Sequence, residues 1–139
     1  MLLRALLALS AAFTTCDSLF AQQETPAIKA NRLFVEGTAL FQATGDRRNP
    51  VVGLEKLRAA ADLKYEHAPF GLCVALSAEP QILNLVESYA WCEVAGTIPN
   101  RNATHARERA MQVLGRISLE QGADSVLKAK GRATELLGR

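Results

Sequence analysis

Leu85-Val86-Glu87-Ser88-Tyr89-Ala90-Trp91-Cys92-Glu93-Val94-Ala95-Gly96 holds the one tryptophan of the chain and one of its three cysteines. Ala95 and Gly96 follow Trp91 by one helical turn. A large aromatic with the smallest residues at i+4 and i+5 suits a helix that must accept a second helix close beside it. The ring fills the interhelical space and the small pair lets the backbones approach. This stretch speaks to architecture; it names no substrate.

The segments around it carry the same helical signal. From Ala27 to Phe41 the positions Ala30, Leu33, Phe34, Gly37, Leu40 and Phe41 recur at intervals of three and four, one face of a helix. Residues 43–50 read as a turn, with Gly45 as a helix stop, Asn49 as the next N-cap and Pro50 at the first helical position. A second helix over 51–64 draws its face from Leu54, Leu57, Ala60 and Ala61. A third, over 68–76, uses Ala68, Leu72, Ala75 and Leu76. After a loop at 77–84 the fourth helix spans 85–96. Asn102 is placed to cap a fifth over 103–116, and Ser118 with Gln121 forms a capping-box pattern opening a last helix. No segment alternates at period two, so the predicted class is all-α.

Composition agrees. Hydrophobic residues make up 49% and charged residues 22%, a globular balance, while only 6% are aromatic, which favours helix over sheet. The net charge of +2 argues against a nucleic-acid partner. Residues 1–21 read as a cleavable secretory signal: Arg4 is the basic start, Ala5 to Phe13 the apolar run, and Ala21 the small residue before cleavage. That run is about half of the roughly 20 residues a spanning helix needs, so no integral membrane segment is expected after cleavage. Cys16 invites a lipoprotein reading, which Thr14 and Thr15 fit poorly. The expected organisation is a signal at 1–21, a disordered leader at 22–26 and a helical domain at 27–138, periplasmic or secreted.

A repeat narrows the fold. From Gly53, Ala60 and Ala61 follow at +7 and +8 and Ala68 at +15. From Ser88, Trp91 follows at +3, Ala95 and Gly96 at +7 and +8, and Ala103 at +15. The two origins lie 35 residues apart, and Gly37 and Cys73 are 36 apart. A period near 35 with two helices per unit marks an α-solenoid. These residues resemble the Sel-one-like repeat family, a branch of the tetratricopeptide-like superfamily. Its pattern sets a small residue, a tryptophan three on, a double alanine and a further small residue. Ser88, Trp91, Ala95, Gly96 and Ala103 match it. Gly53, Ala60, Ala61 and Ala68 match it with Lys56 in the aromatic position. Ser118-Leu119-Glu120-Gln121 also looks like the usual end of bacterial members. The resemblance implies an α-α superhelix of about two helix-hairpin repeats plus capping helices.

With Cys16 removed, Cys73 and Cys92 would face each other on the two helices of one hairpin. Antiparallel neighbours lie about 8–10 Å apart between axes, within reach of a disulfide. A Cys73–Cys92 bridge is the expectation; two buried free thiols are its alternative. Some secreted family members pair cysteines within repeats. Trp91 reads as a core anchor.

Reaction chemistry is thinly represented. His67 and His105 lack metal-ligand spacing and read as exposed, as do Glu66, Glu79 and Glu87, and Lys128, Lys130 and Arg132 read as a solvated face. No phosphate loop or Gly-x-Ser-x-Gly elbow occurs. Neither a catalytic residue nor a metal or other cofactor is expected. The expected function is a non-enzymatic module binding an unidentified protein or peptide. The resemblance implies one alternative, a cell-wall-related enzyme or β-lactam-binding protein; the other is a purely structural accessory protein.

Overall fold

The computed structural model describes residues 24–139, so the signal expected at 1–21 lies outside the described residues. Six helices follow one another: α1 (Pro26–Gln42), α2 (Pro50–Asp62), α3 (Ala68–Ala78), α4 (Leu85–Thr97), α5 (Ala103–Gln121) and α6 (Ala123–Leu137). Short 3-10 turns at Gly45–Arg47 and Pro80–Ile82 fill two of the connections, and no strand occurs among the described residues. The protein is all-α. No helix among these is long and apolar enough to cross a membrane.

Three of the six helix starts have a side-chain cap. Asn49 accepts a hydrogen bond from the Val52 amide at 3.1 Å, and Pro50 takes the first position as expected. Asn84 does the same for α4 through the Glu87 amide at 3.1 Å. Thr25 caps α1 through the Ile28 amide, and Glu24 pairs with Arg32 at 2.7 Å. Within the leader expected at 22–26, Thr25 is the N-cap of α1 and Pro26 its first residue.

Two other boundaries differ from expectation. Ser118 does not open the last helix, because α5 continues through Gln121 to keep Ile117 fully buried on the same stripe as Ala110 and Val113. The break falls at Gly122, whose φ of 86° is open to glycine and costly for other residues. Asn102 has helical backbone angles and makes no side-chain cap; its side-chain amide faces His67 Nδ1 at 3.3 Å instead.

The helices pair as hairpins α1–α2 and α3–α4, while α5 and α6 each pack chiefly on α4, the most embedded of the six, which also packs on α3. The first two hairpins cross at equivalent residues. In the first, Gly37 and Gly53 meet: a Cβ on Gly37 would sit 2.9 Å from the Gly53 carbonyl oxygen, and one on Gly53 3.0 Å from the Gly37 oxygen. In the second, Cys73 and Ser88 meet, with Ser88 Oγ donating to the Cys73 carbonyl at 2.7 Å. The junctions repeat too. Tyr65 bonds Asn31 across 34 positions, Asn100 bonds the Glu66 carbonyl across 34, and Asn102 meets His67 across 35. The spacing of about 35 residues read from the sequence thus recurs in these contacts. Of the nine repeat positions, Gly53, Ala60, Ala68, Ser88, Ala95, Gly96 and Ala103 are buried, while Ala61 and Trp91 are half-buried.

Cys73 and Cys92 are joined by a disulfide with Cα atoms 4.8 Å apart. Both cysteines are fully buried within the larger core, among Leu85, Tyr89, Val113, Ile117 and Ala129. A second core lies between α2 and α3, around Leu54, Leu57, Leu72 and Leu76. Trp91 packs against both cores and joins them. Ala95 and Gly96 serve the close approach of α5: a Cβ on Gly96 would lie 3.0 Å from Arg107 Cγ, and Arg107 donates to the Gly96 carbonyl at 2.7 Å.

Reduction, or the double substitution Cys73→Ala and Cys92→Ala, is expected to lower stability by about 3 kcal/mol, the loop-closure value for a bridge of this span. Urea unfolding with and without reductant measures it. Gly37→Ala gains about 1 kcal/mol of helix propensity but forces α1 away from the Gly53 backbone. The strain of about 1–3 kcal/mol outweighs the gain, so the variant is expected to unfold at lower urea.

Candidate functional site

α1, α2 and α3 share a groove. Its apolar part, about 360 Å³, is lined by Phe34, Phe41, Leu57, Phe70, Val74 and Ala75, with Glu79 at its end. Phe70 also lines a separate polar recess of about 270 Å³ with His105, Glu108, Arg109 and Gln112 on α5. Phe34, Phe41 and Phe70 are half-buried, held by the core on one side and open on the other.

Local packing fixes these rings. Gly71 has no side chain to lift Phe34 off α3; a Cβ there would stand 3.1 Å from Phe34 Cε2. Phe34 also lies against Tyr65, with ring centroids 5.0 Å apart, and Tyr65 meets His67 edge-on at 5.4 Å. His67 is therefore half-buried at the hairpin junction, whereas His105 is exposed as expected.

Charged residues close the ends. Glu79, expected in solvent, is 9% exposed and bonded by Arg48 from the α1–α2 connection. Arg109 and Arg116 on α5 donate to the Ser77 hydroxyl at 3.1 Å and the Ser77 carbonyl at 2.9 Å, fixing α5 against the end of α3. On the other side of the fold, Glu87 and Arg132, also expected in solvent, form a half-buried pair at 2.5 Å that ties α6 to α4. Glu135 reinforces it at 2.7 Å, and its own carboxyl is held below the usual range by the Arg132 guanidinium. In the first hairpin Lys56 bonds Glu36 at 2.6 Å and, with Arg32, lowers that carboxyl likewise.

Trp91 is less of a plain anchor than its sequence suggested. It is half-buried, and its indole N–H is buried with no acceptor among the described residues. An unmet donor of this kind costs about 1–3 kcal/mol.

Of the sequence-derived residues, Cys73, Cys92 and the repeat positions build the scaffold that positions the groove; none of them lines its apolar part. Phe70 and Val74 were missed. The signal was present: residues 68–76, Ala-Pro-Phe-Gly-Leu-Cys-Val-Ala-Leu, are apolar on every side of α3. A helix with no polar face is covered on all sides or offers one of them to a partner. Among the described residues no group of three or more His, Cys, Asp or Glu is placed to hold a metal ion. The groove offers hydrophobic contact with Glu79 among its lining residues.

Comparison with family models, with curated proteins and with solved structures found no match for this chain.

Arg48→Ala is expected to leave the Glu79 carboxylate buried without its partner and to destabilise the fold by about 1–3 kcal/mol. The added substitution Glu79→Leu should recover much of that loss, as denaturant midpoints of the single and double variants will show.

Proposed function

We propose that this protein is a non-enzymatic Sel-one-like repeat module, periplasmic or secreted, that binds a short segment of another protein in the groove across its first helices. The observation that carries the reading is the half-exposed Phe34, Phe41 and Phe70 trio lining that groove. The recurrence of hairpin crossings at Gly37–Gly53 and Cys73–Ser88 supports the family reading. A disulfide at the second crossing and the apolar run at Ala5 to Phe13 support export.

Energetics set the scale. One large apolar side chain removed from water contributes about 1.5–3 kcal/mol. A groove of this volume accepts one or two such anchors, and association costs several kcal/mol. Micromolar or weaker affinity follows, in keeping with a short solenoid that engages part of a partner's surface.

A photo-crosslinking residue in place of Val74 is expected to capture a partner in the native host, while the same residue in place of exposed Glu120 captures none. Peptides from the captured partner that carry the apolar anchor should bind the purified protein. Phe70→Asp or Val74→Glu should weaken that binding at least tenfold with the helical circular dichroism unchanged. Equal crosslinking from both positions, or unchanged affinity in both variants, would contradict the reading.

A further inference from the structure

One residue, Gly122, connects α5 to α6. Its φ of 86° and ψ of 179° form a combination open essentially to glycine alone, so the corner exists because no side chain stands there. The corner also leaves hydrogen bonds unmade. Thr25, Asn49 and Asn84 cap α1, α2 and α4, but no side chain caps α6. With Gly122 at helical angles, α5 and α6 run on as one helix. The amides of Ala123, Asp124 and Ser125 then gain the carbonyls of Leu119, Glu120 and Gln121.

What holds α6 back is its seat on α4. It packs more extensively on α4 than on α5. Its Ala129, Ala133 and Leu136 are buried in the core that contains Leu85, Tyr89 and Cys92 of α4, and Arg132 pairs with Glu87 of α4 at 2.5 Å. None of these contacts depends on α6 belonging to the same chain as the α4 it covers. A connection this short cannot both straighten and return α6 to its own α4, whereas a second copy offers the same seat.

We propose that this protein forms a dimer with a second copy of itself by exchanging α6. In each chain α5 and α6 merge into one helix, and α6 occupies the partner's α4. The exchange is reciprocal, so it closes as a two-fold dimer that keeps the buried contacts of α6 and adds the bonds missing at the corner. Leu136 and Arg139, which line the cavity beside Trp91, then come to each copy from the other. No residue of α6 lines the groove at Phe34, Phe41 and Phe70, so the dimer carries two intact grooves and holds two segments of one partner at once. The exchange stands apart from the groove reading, because its test contains no ligand.

Size-exclusion chromatography with light scattering, on protein refolded without reductant at millimolar concentration, is expected to separate a monomer from a dimer, the two interconverting slowly. Gly122→Ala, which holds the corner angles only at a steric cost, should raise the dimer fraction at least tenfold. Inserting Gly-Gly-Ser after Gly122 lets α6 fold back without strain and should remove the dimer, with the helical circular dichroism of the monomer unchanged. A wild-type protein that stays monomeric, a Gly122→Ala variant that stays monomeric with native helical content, or a dimer that survives the insertion would overturn the proposal. If Gly122→Ala does not fold, the wild-type protein and the insertion variant decide the question by the same criteria.

Discussion

Ser88 and Cys73 are in contact where α3 and α4 cross, and the rest of the fold is arranged around that contact. The Ser88 hydroxyl is fully buried and donates to the Cys73 carbonyl at 2.7 Å. One turn further along α4, Cys92 closes the covalent bond to Cys73. The two helices are thereby held at a separation that larger side chains would not permit. α5 and α6 then pack on α4, while α2 packs on α3, so the crossing carries contacts to both ends of the chain. The first hairpin solves the same problem without covalent help: Gly37 and Gly53 simply have no side chains to keep the backbones apart. One repeated position is thus met by two chemistries.

Stacking of this kind leaves two concavities on the surface. First helices present Phe34, Phe41 and Phe70 along one groove, and second helices surround Trp91 on the other. The tryptophan matters to both, because it joins the two cores that fix the angle between hairpins. α4 carries Trp91, Cys92 and Ser88 within two turns.

Helix identity and most helix ends were legible in the sequence because their signals are local: period three-to-four faces, Asn49 before Pro50, small residues after Trp91. Ser118 misled because a capping pattern says nothing of whether the stripe through Ile117 must continue, and burial of Ile117 decided it. Asn102 misled because its side chain had a distant partner in His67. Glu79, Glu87 and Arg132 were read as solvated for the same reason; their counter-charges lie 31 and 45 residues away, beyond any local pattern. Phe70 and Val74 escaped notice because α3 is apolar all round, and periodicity cannot separate a core-facing from a groove-facing side when no polar residue marks the boundary. The repeat, in contrast, was visible at long range, since small residues at a close crossing are a requirement of geometry and recur with the unit.

Native-state hydrogen exchange addresses the crossing most directly. If the Cys73–Ser88 contact is the point on which the fold depends, the amides of Leu72, Cys73, Ala75, Leu76, Ser88, Tyr89, Ala90 and Cys92 exchange only through global unfolding. Those of α1 and α6 then open earlier, in lower-energy steps. Should the α3–α4 amides exchange in a sub-global opening while α1–α2 or α5–α6 stays protected, the crossing is not the centre of the fold and the account given for it is wrong.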